Sequence, residues 1–205
     1  MEAAKKLKNV GFVSGVQALR AARTRQRIST GCKALDAVLG GGVETGAVTE
    51  LFGEFRTGKT QILATLCVNA QLDAASGGAA GKVIVIDTEN AFRVERIAQI
   101  AEARYGLDPA AVLDNVTIAR ALTHEHQAEM VLASAALITG SGERYKLLVL
   151  DSIIGLFRTE FTGRGELAER QQKLGIHVRD LCRLAEQFNL AVVITNHVTA
   201  DPGNM

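Results

Sequence analysis

Runs of consecutive apolar residues, each of the length of a β-strand, recur along the chain. They cover residues 83–86, 147–150 and 191–194. Strands that are apolar at every position, rather than at every second one, are typical of parallel strands covered on both faces of a sheet. Each run is followed directly by a polar residue: Asp87, Asp151 and Thr195. The pattern predicts three central strands whose carboxyl ends carry reactive side chains.

Apolar residues at helical spacing occupy the intervals between these runs. In residues 94–105, for example, Ile97, Ile100 and Ala101 fall on one face of a helix. We predict helices at 60–72, 94–105, 125–138 and 166–188, and further strands at 48–52 and 116–119. Strands that alternate with helices imply right-handed crossovers, so we predict an α/β fold with a mostly parallel sheet flanked by helices.

The remaining stretches predict the organisation around this core. Residues 1–27 are interpreted as the end of a helix and a linker, and residues 28–205 as the core domain. Residues 74–81 (AASGGAAG) have the composition of a flexible surface loop. No closing element follows the strand at 191–195, because only a short stretch containing Pro202 and Gly203 remains. We therefore expect the core to be incomplete, as in a fragment.

Charge is distributed unevenly, although the net charge of the 205 residues is only +1. Residues 1–33 contain eight Lys or Arg and one Glu, a net of +7, so the rest carries −6. The basic segment is either a solvated helix and linker or a contact for DNA or a partner. Nucleic-acid binding by the main body would require a local basic feature. No apolar run approaches the roughly 18 residues of a membrane span, and we expect an intracellular protein without membrane contact.

The strongest motif is GEFRTGKT at residues 53–60, which fits G-x-x-x-x-G-K-[ST] between a predicted strand and a predicted helix. Glycines let backbone N–H groups converge on phosphate oxygens, and the helix N-terminus favours an anion. We expect Lys59 to reach the β- and γ-phosphates of ATP and the Thr60 hydroxyl to bind Mg²⁺. The predicted nucleotide-binding residues of this loop are Gly53, Glu54, Phe55, Arg56, Thr57, Gly58, Lys59, Thr60 and Gln61.

Polar residues at the ends of the central strands complete the predicted site. Asp151 is placed as a second Mg²⁺ ligand. Glu89, just after Asp87, is the better candidate to orient or deprotonate the attacking water. The alternative is that Asp87 and Glu89 only cap the following helix. His197, at the end of the third strand, is either structural or a contact for the γ-phosphate.

A glycine- and arginine-containing segment, FRTEFTGRG at residues 157–165, precedes the longest predicted helix. Arginine binds phosphates or stacks on bases, and glycine allows close backbone approach. This segment supplies the local basic feature that DNA binding requires. The alternative is an ordinary surface turn.

Together these blocks resemble the eukaryotic and archaeal RecA-type recombinases. The most specific stretches are GEFRTGKTQ at 53–61, DTENAFR at 87–93 and GRGELAERQQKL at 163–174. The last stretch and TADPG at 199–203 resemble the meiotic branch, whereas ETG at 44–46 resembles the mitotic one. The resemblance implies a RecA-like ATPase core that polymerises on single-stranded DNA with ATP and Mg²⁺. It also implies pairing with double-stranded DNA and strand exchange, in the nucleus and with recombination accessory proteins.

The resemblance also implies roles for individual residues. Glu89 and Lys59 match the catalytic residues, Thr60 and Asp151 the metal residues, and Arg96 an arginine that packs on adenine. The matching DNA-binding residues, in or just after the first DNA-binding loop, are Arg158, Arg164 and Arg170. The residues that match the interface for filaments or rings are Phe12, Gly15 and Ala119.

Several positions depart from the pattern of that family. His197 stands where a phosphate-sensing Gln is usual, Gly15 replaces an Ala and Val94 replaces a Pro. The second DNA-binding loop, the domain before Glu2 and the nucleotide cap from a neighbouring protomer are not part of the sequence.

The sequence is also compatible with other functions. An accessory recombinase paralogue would bind nucleotide as a switch with little hydrolysis, a hypothesis that His197 favours. An inactive fragment is a third hypothesis. A P-loop kinase of another family is hard to reconcile with DTEN and GRGEL.

Overall fold

The computed structural model describes residues 12–163 and 165–198. Their strands are β1 (Arg27–Ile28), β2 (Val43–Glu44), β3 (Ala47–Gly53), β4 (Lys82–Asp87), β5 (Val116–Arg120), β6 (Tyr145–Asp151) and β7 (Ala191–His197). The helices are α1 (Gly15–Arg23), α2 (Lys33–Val38), α3 (Lys59–Asn69), α4 (Val94–Tyr105), α5 (Pro109–Asp114), α6 (His124–Ser141), α7 (Gly155–Glu160) and α8 (Leu167–Phe188).

Five strands form one parallel sheet in the order β3-β7-β6-β4-β5. The three strands predicted from continuous apolar runs, β4, β6 and β7, are the central ones. This confirms the predicted α/β fold. All five strands point the same way, so the ends of β3, β4, β6 and β7 meet at one edge, where open α/β sheets bind ligands.

Helices cover both faces of the sheet and divide its core into two apolar clusters. Alternate residues of β6 contribute to the two clusters: Leu147 and Val149 belong to one, whereas Leu148 and Leu150 belong to the other. All four side chains are fully buried. This alternation is why a central parallel strand is apolar at every position.

A short antiparallel ladder of β1 and β2 precedes the sheet. The predicted boundary between linker and core, at residues 27 and 28, falls within β1. Before it, Ser14 is the N-cap of α1, and its side chain and that of Gln17 form a reciprocal capping box. No residue of α1 is buried. The predicted helix end at residues 1–8 lies outside the described residues.

Residues 74–76 and 80 are exposed, as expected for the predicted surface loop at 74–81, whereas residues 78, 79 and 81 are buried. This second half is hydrogen-bonded: Ala79 is fully buried, and the amides of Ala79 and Gly81 both donate to the carbonyl of Ala70. A Cβ added to Gly78 would lie 2.1 Å from the carbonyl oxygen of Leu72. Glycine is therefore present because the backbones touch, not because the chain is loose.

No helix in the described ranges combines the length and the apolar character that crossing a lipid bilayer would require.

Candidate nucleotide-binding site

The loop between β3 and α3 forms the base of the candidate site. Gly58 is the N-cap of α3 and has φ of 94°, a left-handed conformation that favours glycine. A Cβ built on Gly58 would meet nothing within 4 Å, so its backbone faces open space. No side chain caps α3, and the amide of Gln61 donates to the carbonyl of Gly58, so the amides of Lys59 and Thr60 are the ones available to an anion. Lys59 Nζ donates to the carbonyls of Gly53 and Glu54, both at 2.9 Å.

The two residues predicted to bind the metal are in direct contact. The hydroxyl of Thr60 donates to Asp151 Oδ2 at 2.9 Å. The other carboxylate oxygen, Oδ1, accepts a hydrogen bond from the hydroxyl of Thr195 on β7. Asp151 is 4% exposed. A hydroxyl beside a buried, oriented carboxylate is an oxygen donor set of the kind that Mg²⁺ prefers, so these residues fit the ion.

The two acidic residues after β4 have different environments. Asp87 accepts hydrogen bonds from the amides of Glu89, Ala91 and Phe92 at 3.0, 3.4 and 3.3 Å, so it orders the turn before α4. The capping alternative was wrong, because α4 begins at Val94 with Arg93 as its N-cap and no side-chain cap hydrogen bond. Glu89 instead faces the site, where its Oε1 accepts from the hydroxyl of Ser152 at 2.5 Å.

His197 lies against the same carboxylate: its Nε2 is 2.9 Å from Glu89 Oε1. A carboxylate without its proton can only accept hydrogen bonds, so His197 Nε2 carries the hydrogen of this contact. The backbone carbonyl of His197 accepts a hydrogen bond of 2.7 Å from Arg158 Nη2. His197 therefore bridges the site and the helix α7.

Arg96 lies next to the loop rather than lining the cavity. Its Nε donates to Gln61 Oε1 at 2.8 Å, and its Nη1 donates to Gln99 at 3.3 Å. Because Arg96 is exposed, a planar ring can reach its guanidinium.

These side chains surround a cavity of about 240 Å³ at the carboxyl edge of the sheet. The lining residues are Phe55, Arg56, Thr57, Gly58, Lys59, Thr60, Gln61, Glu89, Ala91, Asp151 and His197. Of the residues predicted at the site, Gly53, Glu54 and Arg96 are outside this lining, and the first two contribute carbonyls to Lys59. The cavity combines helix amides, a lysine and two carboxylates, a set that fits a nucleoside triphosphate with a divalent cation.

The structure describes two of the three predicted DNA-binding residues. Arg158 contacts the backbone carbonyl of His197, and Arg164 lies outside the described residues. Arg170 on α8 is half-buried, and its Nε has no hydrogen-bond partner among the described residues.

The segment at 157–165 also differs from a loop, because α7 extends through Glu160. Phe157 is 1% exposed and packs near His177 and His124. It is a core residue and cannot stack on a base.

The predicted interface residues are exposed or lie at an edge. Phe12 is fully exposed, and a Cβ on Gly15 would meet nothing within 4 Å. Ala119 lies in β5, which is an edge strand of the sheet.

Two residues were missed by the sequence analysis. Ser152 is fully buried, yet only its position after Asp151 could have suggested a role. His177 is 3% exposed and looked like an ordinary helix residue. Its Nε2 is 2.9 Å from the side-chain nitrogen of Gln127. Burial lowers the pKa of His177 to about 4, the nearby His124 adds to this, and Asp180 opposes it.

Comparison with known proteins identifies similar sequences over nearly the whole chain. A family model described as Rad51 matches residues 22–205. A meiotic recombination protein DMC1 homolog of Arabidopsis thaliana is 55% identical over 202 residues, which are 98% of this chain and 58% of that protein. A DMC1/LIM15 homolog of Homo sapiens is 51% identical over 98% of this chain and 59% of that protein. The chain thus spans somewhat under three-fifths of the length of these relatives.

Proposed function

We propose, because this chain belongs to the Rad51 family, that it acts in an ATP-dependent recombinase. Such a recombinase assembles on single-stranded DNA and pairs and exchanges homologous strands. The observation that carries the proposal is the cavity where Lys59, Thr60, Glu89, Asp151 and His197 converge. The relatives are named as meiotic recombination proteins, so we propose a meiotic role in the nucleus.

The reaction that this site suits is hydrolysis of ATP. The amides of α3 and Lys59 would bind the phosphates, and the carbonyls that now accept from Lys59 Nζ would be exchanged for phosphate oxygens. Glu89 would orient the attacking water and take up its proton. Thr60 and Asp151 would hold Mg²⁺, which supplies charge neutralisation on the phosphates. Arg96 would pack on the adenine ring.

Binding to DNA and to further copies of the chain is proposed on separate grounds. Arg164 and the neighbouring glycines remain the predicted phosphate contacts, and Arg158 and Arg170 flank them. For self-association, the exposed side chain of Phe12 would dock on the strand that holds Ala119 in a neighbouring copy. Recombination accessory proteins are proposed as additional partners.

A second function, that of an accessory paralogue with a slow nucleotide switch, is favoured by one contact. His197 contacts one carboxylate oxygen, Oε1, of Glu89, the residue proposed to act on water. Such a protein would bind ATP, but DNA would not change its hydrolysis rate.

ATP hydrolysis with and without single-stranded DNA tests the proposal. Lys59→Ala should lower the rate by about 10²-fold or more, because a positioned charge on the phosphates is lost. Lys82→Ala is the matched control: Lys82 pairs with Glu143 at the amino end of β4, far from the cavity, and should leave the rate unchanged. Full activity of Lys59→Ala would refute the site. ATP binding with a DNA-independent rate would favour the accessory paralogue.

A further inference from the structure

Helix α7 ends beside the start of α6, and one histidine joins the two helices. His124 is the first residue of α6, and its backbone amide donates to Glu160 Oε1 at 2.6 Å. Its ring nitrogen Nδ1 contacts the other oxygen of the same carboxylate, Oε2. Glu160 is the last residue of α7. Both oxygens of Glu160 are therefore held by one residue of another helix, at the point where α7 leads into the segment proposed to bind DNA.

The second ring nitrogen of His124 contacts a third helix. Its Nε2 is 3.4 Å from Nζ of Lys173 on α8. An ammonium group can only donate hydrogen bonds, and a carboxylate can only accept them. The ring is therefore neutral, with its hydrogen on Nδ1 facing Glu160 and a lone pair on Nε2 facing Lys173. The side chain of His124 is 11% exposed, so water competes little for these bonds.

The residue that follows α7 packs against the same side chains. The ring centroid of Phe161 lies 5.0 Å from that of His124 in an edge-to-face arrangement, and Lys173 Nζ lies 4.9 Å from the Phe161 centroid. Both geometries are favourable for an aromatic ring. Lys173 also pairs with Glu169, one turn earlier on α8, at 3.1 Å. Contacts from α6 and α8 thus fix the chain at Phe161, where the segment proposed to bind DNA begins.

We propose that His124, Glu160 and Lys173 form a clasp that positions residues 161–165 for contact with single-stranded DNA, an inference that rests on the proposed function. The clasp acts through the order of the segment and not through contact with DNA. A segment that is ordered before binding loses less conformational entropy when it binds, so its affinity is higher. His124 is the central positioning residue, because it bonds to both other members.

Neutralisation of Glu160 separates positioning from electrostatics by the sign of its effect. Glu160→Gln removes a negative charge beside the segment, which by charge alone would tighten binding to DNA. Loss of the clasp predicts the opposite, because a Gln side chain has one acceptor oxygen and cannot accept both bonds from His124. The Kd for a single-stranded oligonucleotide should rise about three- to tenfold. Glu125→Gln removes an exposed charge next to His124 and, as the matched control, should not raise the Kd. A Kd of Glu160→Gln equal to or below that of the wild type would overturn the clasp.

Substitution of His124 adds a test by conservative rescue. His124→Ala should raise the Kd for the same oligonucleotide by a similar factor. His124→Asn should restore most of the affinity, because its amide N–H can take the place of the N–H at Nδ1. His126→Ala is the control on the same helix: the Nδ1 of His126 accepts from the amide of Leu122, and the variant should bind as the wild type. Equal Kd values for His124→Ala and the wild type would exclude His124 as a positioning residue.

Hydrogen exchange separates failure of the clasp from failure of the proposed function, because it is measured without DNA. In His124→Ala, amide exchange should become faster at residues 156–163 and stay unchanged in β4 and β6. Exchange that is faster throughout the chain would show a general loss of stability, and unchanged exchange would show that the clasp does not order the segment. Either result would overturn the proposal. If exchange changes only locally but the wild type binds no single-stranded DNA, the proposed DNA binding is wrong, and the role of the clasp in it fails as well.

Discussion

Replacing His177 should remove a large part of the acid sensitivity of folding. The histidine is neutral in the folded chain, since burial lowers its pKa from 6.5 to about 4. Its Nε2 accepts from Gln127, whose amide is oriented by a second hydrogen bond to the carbonyl of Ile153. Protonation at Nε2 would place two donors against each other. The unfolded chain takes up this proton at higher pH, so stability is lost as pH falls from 6.5 towards 4.

The magnitude follows from the two pKa values of His177. A difference of about 2.5 units corresponds to roughly 3 kcal/mol of unfolding free energy once pH is below both values. At pH 5 the same relation gives about 2 kcal/mol. Well above pH 6.5 the group is neutral in both states and contributes nothing to this pH dependence.

The assay is urea unfolding at pH 7 and pH 5, followed by circular dichroism because the sequence has no tryptophan. His177→Leu has a neutral side chain of similar volume at a helix position. Between pH 7 and pH 5, the unfolding free energy of His177→Leu should fall by about 2 kcal/mol less than that of the wild type. His126→Leu, at a partly exposed position of α6, should behave as the wild type. If the unfolding free energies of His177→Leu and the wild type depend equally on pH, the conclusion that His177 is buried in its neutral form is refuted.

Three further predictions test the fold, the interface and the DNA contact. Gly78→Ala should destabilise the chain by about 1–3 kcal/mol in urea unfolding, because the added Cβ would meet a backbone carbonyl. Gly140→Ala, at a position with open space around it, should not destabilise the chain. Equal stabilities of the two variants would contradict the close packing at Gly78. Phe12→Glu should abolish self-association in analytical ultracentrifugation. Val38→Glu, which changes another exposed apolar residue, should leave self-association intact. Assemblies of unchanged size in Phe12→Glu would exclude Phe12 from the interface. Arg164→Ala should weaken binding to single-stranded DNA and reduce the slope of log Kd against log salt by about 1, and an unaltered slope would exclude a phosphate contact.

The sequence by itself predicted the five strands of the parallel sheet, the four longest helices around it and the candidate nucleotide-binding loop. Strands β4, β6 and β7 were predicted because a parallel strand buried on both faces must be apolar throughout, which is a local pattern. The loop at residues 53–60 was predicted because its glycines, lysine and threonine form a recognisable motif within eight consecutive residues. The ends of parallel strands share one edge, so Asp151, Glu89 and His197 could also be expected near one another.

Only the tertiary structure decided which side chains touch. Ser152, Glu89 and His197 come from three different strand ends, and their shared oxygen has no signature along the chain. Phe157 lies in the segment predicted to contact DNA, yet it is 1% exposed and belongs to an apolar cluster beside His177. Residues 74–81 have the composition of a flexible loop, but the contacts of Gly78, Ala79 and Gly81 with the end of α3 and the residues after it order part of this segment. The sequence does not show which residues come into contact in the folded chain.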